Sequence, residues 1–234
     1  ETAASSNNRW RPIGLGIMGL QDVFFQLRLA FDSNEAQKLS TQIQEEIYYN
    51  SLSASIDLAE KHGAHSNFAE TRAAQGVFQF ELWNIKPTDE KRWEALRTRM
   101  MQHGLRNSLM IAIAPTATIA SIVGSYEATE PQISNLFKRE TLSGEFMQIN
   151  RYLVNELKLK GLWNEVIRNE IKINDGSIQE IAAIPQDIKN LYRTVWEVPM
   201  KALIDMAADR GAYIDQSQSL NLFMESPTIG KLSS

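Results

Sequence analysis

The run Leu109-Met110-Ile111-Ala112-Ile113-Ala114 is wholly apolar and stops at Pro115, after which Thr116-Ala117-Thr118-Ile119-Ala120 has the composition of a helix's first turn. Such a short, wholly apolar run reads as a buried strand. Proline cannot donate to a sheet ladder and so ends the strand. A buried strand passing directly into a helix points to an α/β architecture, with helices laid against a sheet. The same junction presents backbone N–H groups that lack intrahelical partners. The peptide dipoles add partial positive charge there, which makes the turn a ready site for an anion, most often phosphate. Thr116 and Thr118 can add O–H donors, and Ala117 lets a ligand approach the backbone. The competing reading is an ordinary strand–helix junction with threonine caps.

The remaining elements follow from periodicity and punctuation. Residues 1–9 read as a poorly ordered or linker-like lead, Ile13 to Ile17 as a short strand and Met18 to Leu29 as an apolar helix. Asp32 and Glu35 have capping-box spacing ahead of a long helix to Lys61, with Leu39, Ile43 and Ile47 on one face and Gly63 as its stop. Residues 64–88 read as connecting structure anchored by Phe78, Phe80 and Trp83. Asp89 to His103 is amphipathic, with Trp93, Leu96 and Met100 on one face and Gly104 as terminator. Glu130 to Glu145 reads as a long polar connection, followed by helices near 150–160, 164–173, 187–195 and 199–210. Tyr213-Ile214 and Leu220 to Phe223 read as strand pieces. The chain is helix-rich, and no linker divides it.

Composition excludes several classes. A net charge of −4 and no Lys/Arg block argue against a nucleic-acid surface. No apolar run approaches the ~20 residues that span a bilayer. Residues 1–8 are polar without a basic start, so no secretory signal is read there. The first residue is Glu, which fits a processed product or a piece of something longer. Cysteine is absent. That removes disulfides, thiolate metal sites and any sulfur radical from this chain, and it fits a cytoplasmic protein. His62 and His65 flank Gly63 at a helix end without a third ligand at a recognisable spacing, so they read as a solvated terminus and no metal is expected.

Gly14-Leu15-Gly16-Ile17-Met18-Gly19 matches the dinucleotide fingerprint, with Glu35 downstream. Ser6 to Pro12, however, is no Rossmann first strand, and Pro12 removes a ladder donor. The competing reading is close packing of a strand and the following helix. A nicotinamide-dependent dehydrogenase resting on Gly14, Gly16 and Gly19 is the weakest of three functional alternatives.

Several segments taken together resemble the large, catalytic subunit of class I ribonucleotide reductase. They are Arg11-Pro12-Ile13-Gly14-Leu15-Gly16, Arg106-Asn107-Ser108-Leu109 running into Ala114-Pro115-Thr116-Ala117-Thr118, and Glu130-Pro131 with Ser134-Asn135. Leu142-Ser143-Gly144-Glu145-Phe146, Ile214-Asp215-Gln216-Ser217-Gln218-Ser219-Leu220-Asn221 and Gly230-Lys231-Leu232 continue the series in family order. The resemblance runs from about Arg9 to the last residue. It implies the second half of a ten-stranded α/β barrel over residues 10–234, and reduction of ribonucleoside diphosphates by thiyl-radical chemistry. It places the substrate's diphosphate on the loop Pro115, Thr116, Ala117, Thr118 and Ile119. Many relatives carry Ser or Thr at the fifth position, so Ile119 can serve through its backbone only. Under the resemblance the 14–19 glycines become barrel packing, and Gln216–Asn221 a barrel strand near the site whose polar side chains either support the active site from behind or serve a purely structural role, the favoured reading. Trp83, Trp163 and Trp196 read as core or surface cover.

The resemblance also says what is missing. The asparagine–cysteine–glutamate strand of the family precedes this region, the paired radical-relay tyrosines and a small-subunit docking helix follow it, and the ATP/dATP effector sites are N-terminal. The radical metallocofactor belongs to a separate small subunit. This chain is thus expected to be inactive alone. Its expected partners are the missing N-terminal half, the small radical-generating subunit, a second large subunit and the ribonucleoside diphosphate. A split enzyme, a piece flanking an intein and a deliberate fragment all fit. A non-catalytic module that binds nucleoside diphosphates is the alternative function.

Overall fold

The structure is a computed structural model that describes residues 1–141 and 144–233. Leu142 and Ser143, part of one of the segments quoted above, lie outside the described residues. The helices are α1 (Thr2–Trp10), α2 (Leu20–Leu27), α3 (Asn34–His62), α4 (Glu90–His103) and α5 (Ala117–Val123). After the strands β1 (Leu136–Thr141) and β2 (Gly144–Ile149) come α6 (Arg151–Leu159), α7 (Glu165–Ile173), α8 (Gln186–Leu191), α9 (Met200–Gly211) and α10 (Ile229–Ser233). No described helix is long and apolar enough to cross a membrane.

The chain forms two compact units, one from residues 1–17, 38–115 and 205–219, the other from 18–37, 116–204 and 220–234. Each unit draws on three stretches of sequence, so a boundary leaves no linker for composition to reveal.

In the first unit three extended segments lie side by side. Leu15 bridges Ile111 and Ile113 bridges Gln218, both in parallel. The Leu15 N–H donates to Met110 O at 2.7 Å, the Ala112 N–H to Leu15 O at 2.9 Å, and the Ser219 N–H to Ile113 O at 2.8 Å. Parallel neighbours joined through helices are the α/β signature expected from the 109–115 run. The strands expected at 13–17 and 109–114 are reduced to these bridges. The expected piece at 213–214 is not extended: Tyr213 and Ile214 are buried just past α9, and pairing begins only at residues 216–219.

Around this lie α3 and α4. On α4 the buried side chains are Trp93, Leu96 and Met100, and the Asp89 carboxylate accepts the Arg92 N–H as its cap. The buried stripe of α3 runs through Ser40, Gln44, Tyr48, Leu52, Ile56 and Ala59. Leu39, Ile43 and Ile47, expected to face inward, lie half-buried on its flank. Polar side chains occupy the inner stripe because each has a partner there. Ser40 Oγ accepts from Arg210, Gln44 donates to Tyr213 O, and Glu45 beside them accepts from Trp93 Nε1. The cap of α3 is Ser33, whose Oγ accepts the Ala36 N–H at 3.1 Å. Asp32, expected to cap, pairs with Arg193 at 2.6 Å. The segment expected as a disordered lead is helix α1, none of whose residues is buried.

The second unit packs one face of α6, α7 and α8 into a core of Leu153, Leu157, Ile167, Ile171, Ile181 and Ile188. Phe25 of α2 joins it, with ring centroids 5.5 Å from Tyr126, 5.4 Å from Tyr152 and 5.0 Å from Tyr192. Asn150 and Asn164 cap α6 and α7 by accepting N–H groups of the first turn. The stretch expected as a polar connection holds an antiparallel hairpin in which Leu136 pairs with Ile149 and Thr141 with Gly144. Its charged residues break the hydrophobic alternation by which a strand is recognised. Leu220 to Phe223, expected as a strand piece, forms none.

Candidate functional site

The junction after Pro115 is built as a left-handed turn into α5. Thr116 sits at φ 56° and ψ 14°, and the first helical bond runs from the Ala120 N–H to Thr116 O at 2.8 Å. The amides of Ala117, Thr118 and Ile119 therefore precede the ladder. All three residues are exposed, Ile119 at 52 %. This is the arrangement an anion needs: several N–H groups at one helix end, open to solvent, in the positive lobe of the dipole. Pro115, also exposed, closes the preceding segment.

Thr116 does not act as a side-chain cap. Its Oγ1 accepts the Ala128 N–H at 2.8 Å, so the alternative of a junction with threonine caps fails at this position. The hydroxyl proton stays available to donate, because the bond to Ala128 uses only an oxygen lone pair. Thr118 points from an exposed position on the first turn. The loop thus brings the four residues 116–119 onto one helix end.

Two features beside the loop escaped sequence reasoning. The first is a tie between Glu130 and Asn221. The Asn221 side-chain N–H₂ lies 2.9 and 3.0 Å from the two carboxylate oxygens, and its backbone N–H donates to one of them at 3.0 Å. The second is a buried amide network. Gln132 donates to Asn135 Oδ1, to Tyr192 O and to Arg193 O, while Asn150 donates to Gln132 and Asn135. Asn135 also donates to Gly176 O at 3.0 Å. Gly176 is obligatory there, since a Cβ would come within 1.8 Å of Ser134 Oγ. The only sequence signal was the pairing of Glu130-Pro131 with Ser134-Asn135. A pocket of about 670 Å³ opens over this network. It is lined by Tyr126, Glu130, Gln132, Asn150, Arg151 and Phe223, among others, and residues 116–119 lie outside its lining.

Gly14 and Gly16 lie on an exposed segment beside the 110–112 backbone. A Cβ at Gly16 would lie 2.5 Å from Ala112 O, and Leu15 bonds the 110–112 backbone. Gly19, at φ 83°, is the N-cap of α2 and donates to Tyr126 O. Gln216 and Gln218 bond backbone carbonyls, of Ile13 at 2.7 Å and Ala207 at 2.6 Å, in keeping with a structural role. Trp83 and Trp196 are about half-exposed surface cover. His65, read from sequence as solvated, is 2 % exposed, with Nδ1 3.3 Å from Arg9 O and its ring 5.8 Å from that of Trp10. Burial lowers its pKa, the Arg9 carbonyl opposing. Among the described residues no three His, Cys, Asp or Glu side chains are grouped to hold a metal ion.

The family profile described as "Ribonucleotide reductase, barrel domain" matches residues 1–234. The chain is 48% identical over 232 residues to the ribonucleoside-diphosphate reductase large chain of Schizosaccharomyces pombe, covering 99% of this chain and 29% of that one. It is 49% identical over 232 residues to the large subunit from Danio rerio, again covering 99% of this chain and 29% of the relative. Among solved structures, the Actinobacillus ureae class Id ribonucleotide reductase alpha subunit superposes with a TM-score of 0.68 at 27% identity, over 90% of this chain and 33% of that one. The chain thus spans about three-tenths of the length of the curated relatives it matches. A helix-rich α/β chain with parallel bridges, an exposed amide turn after Pro115 and these matches along its whole length belongs to the ribonucleotide reductase barrel-domain family.

Proposed function

We propose that this chain is the part of a ribonucleoside-diphosphate reductase large subunit that holds the substrate's diphosphate. The carrying observation is the turn at 116–119, where three exposed amides precede the first bond of α5. In this reading the N–H groups of Ala117, Thr118 and Ile119 and the hydroxyls of Thr116 and Thr118 donate to phosphate oxygens. Pro115 sets the entry of the loop, and Ile119 contributes no side-chain bond. A contact of this kind is worth up to about 2 kcal/mol by itself, so the loop orients the diphosphate and needs further walls to hold it tightly. Those walls come from the rest of the large subunit. The chain forms the second half of a ten-stranded α/β barrel over residues 10–234, of which the parallel bridges at Leu15–Ile111 and Ile113–Gln218 are one part.

The reduction itself requires cysteines that this chain lacks. They are supplied by the N-terminal half, and the radical by a small subunit that carries the metallocofactor. ATP and dATP act at sites outside this chain. The complete enzyme works as a large-subunit dimer in the cytoplasm.

The test is complementation. The chain is mixed with the N-terminal half and a small subunit, and CDP reduction is followed. Activity above that of either half supports the reading. Equal activity with a Thr118→Val, Ile119→Pro variant would remove the diphosphate role from the loop.

A further inference from the structure

The first unit contains a cavity of about 460 Å³ on elements that the diphosphate loop does not use. Its walls include the rings of Trp10 from α1, Tyr48 from α3 and Phe78, with Leu52, Met100 and Met110 between them. Two charged groups line the same space, Asp215 and Arg72, and they form no ion pair with each other. The Asp215 carboxylate accepts the N–H groups of Ile111 at 2.7 Å and Met110 at 3.0 Å. None of the ion pairs among the described residues includes it. Burial pushes its carboxyl above the usual range, with the amides of Ile111, Met110 and Asp215 itself opposing. The Tyr48 hydroxyl accepts the Gln79 N–H at 3.3 Å and keeps its own proton to donate.

A half-buried carboxylate held only by backbone amides, outside any ion pair, is costly to place in a largely apolar space. A ligand that brings a cationic group or further N–H donors to Asp215 offsets that cost, while an anion set against it meets repulsion and a hydrocarbon adds no partner. Three aromatic walls favour a flat guest, which packs against ring faces and edges. The volume is in the range of small-molecule sites, which are apolar with a few fixed polar groups. Helix α1 has a further gain to make, because it buries none of its residues and Trp10 stands at the cavity wall.

We propose that this cavity is a binding site for a flat aromatic molecule carrying a cationic nitrogen or a fork of N–H donors, anchored on Asp215 and enclosed by Trp10, Tyr48 and Phe78. The site is independent of the diphosphate reading and stands or falls without it.

Benzamidine is the probe, with benzamide as the neutral isostere and benzoate as the anion. The chain carries eight methionines. With their methyl groups ¹³C-labelled, Met100 and Met110 report the cavity and the other six serve as internal controls. Benzamidine is expected to shift Met100 and Met110 in a saturable way, benzamide to bind at least tenfold more weakly, and benzoate not at all. Asp215→Asn keeps an oxygen for the Ile111 N–H while removing the charge, and is expected to weaken benzamidine at least tenfold. Should that variant fail to fold, Leu82→Trp, at a 44 % exposed position on the cavity lining, is expected to block the site without disturbing the core. Equal binding of all three compounds, no shift of Met100 and Met110 at saturating benzamidine, or benzamidine affinity unchanged in the variants would overturn the proposal.

Discussion

Thr116 and Ala128 are joined by one 2.8 Å hydrogen bond, from the Ala128 N–H to Thr116 Oγ1, and both stand at positive φ, 56° and 37°. A β-branched residue in the left-handed region is a genuine outlier, and alanine there is uncommon. Such conformations cost about 1–3 kcal/mol each and persist where surrounding contacts hold them. The bond therefore closes the neck of the 117–127 loop in the conformation that sets out the three free amides.

Removing this acceptor should loosen the loop. Thr116→Val keeps the shape but loses Oγ1, and is expected to cost about 1–2 kcal/mol, mostly from the unsatisfied Ala128 N–H. Thr116→Ser should cost much less. Urea unfolding measures the stability, and amide exchange at Ala128 measures the bond itself. Exchange that is unchanged in the valine variant would show that the neck is held by something else.

The glycine run at 14–19 makes a second, sharper forecast. A methyl group at position 16 would meet the Ala112 carbonyl oxygen at 2.5 Å, an atom of the backbone that cannot swing aside. Gly16→Ala should destabilise the chain by about 1–3 kcal/mol through overpacking, while Gly14→Ala, with its nearest atom at 3.6 Å, should cost less. NADH should leave the tryptophan fluorescence of the unmodified chain unchanged. A clear NADH-dependent change would restore the dinucleotide reading of these glycines.

His65 predicts a pH dependence. Burial lowers its pKa in the folded chain relative to an unfolded histidine. The unfolded chain thus binds the proton more readily, and stability rises with pH across the window between the two values. His65 stabilises fully above its unfolded pKa, about 6.5, and that contribution is lost as pH falls through the folded value. The melting temperature should drop between pH 7.5 and 5.5, and His65→Gln should flatten that drop. An equal drop in the variant would assign the dependence to other groups.

These cases show what the sequence carried and what it could not. Helix α4 was legible because Trp93, Leu96 and Met100 repeat at helical spacing between an Asp89 cap and a Gly104 stop. The exposed turn into α5 was legible because Pro115 and two threonines mark a strand–helix junction. The hairpin at 136–149 was hidden, since Lys138, Arg139, Glu140 and Glu145 interrupt the alternation of its apolar residues. His65 was misread because Trp10 and Leu105, both about forty or more residues away in sequence, pack and bond against it beside Phe68, and spacing carries no information about such distant contacts. The neck bond of Thr116 was equally invisible. It depends on where the chain returns after α5, which only the folded backbone determines.

The inner stripe of α3 supplies the last forecast, at Glu45. This carboxylate is 2 % exposed, yet it lies on a helix face that packs against α4. Three donors, Trp93 Nε1 at 3.0 Å, the Thr88 N–H at 2.9 Å and Thr88 Oγ1 at 3.0 Å, converge on a single oxygen, Oε1. The Tyr213 hydroxyl bonds the same carboxylate, and burial, reinforced by this negative charge, raises its pKa. The geometry asks for an oxygen at one place and not for a charge. Glu45→Gln can keep that oxygen, and its N–H₂ can donate to the Tyr213 hydroxyl, which has only to turn and accept. It is expected to cost under about 1 kcal/mol. Glu45→Leu strands the three donors on Oε1 and the Tyr213 hydroxyl in the core and should cost about 3 kcal/mol or more. Chemical denaturation of the two variants separates the cases. A glutamine variant as unstable as the leucine one would mean that the charge itself, paired through the Tyr213 side, holds α3 to α4.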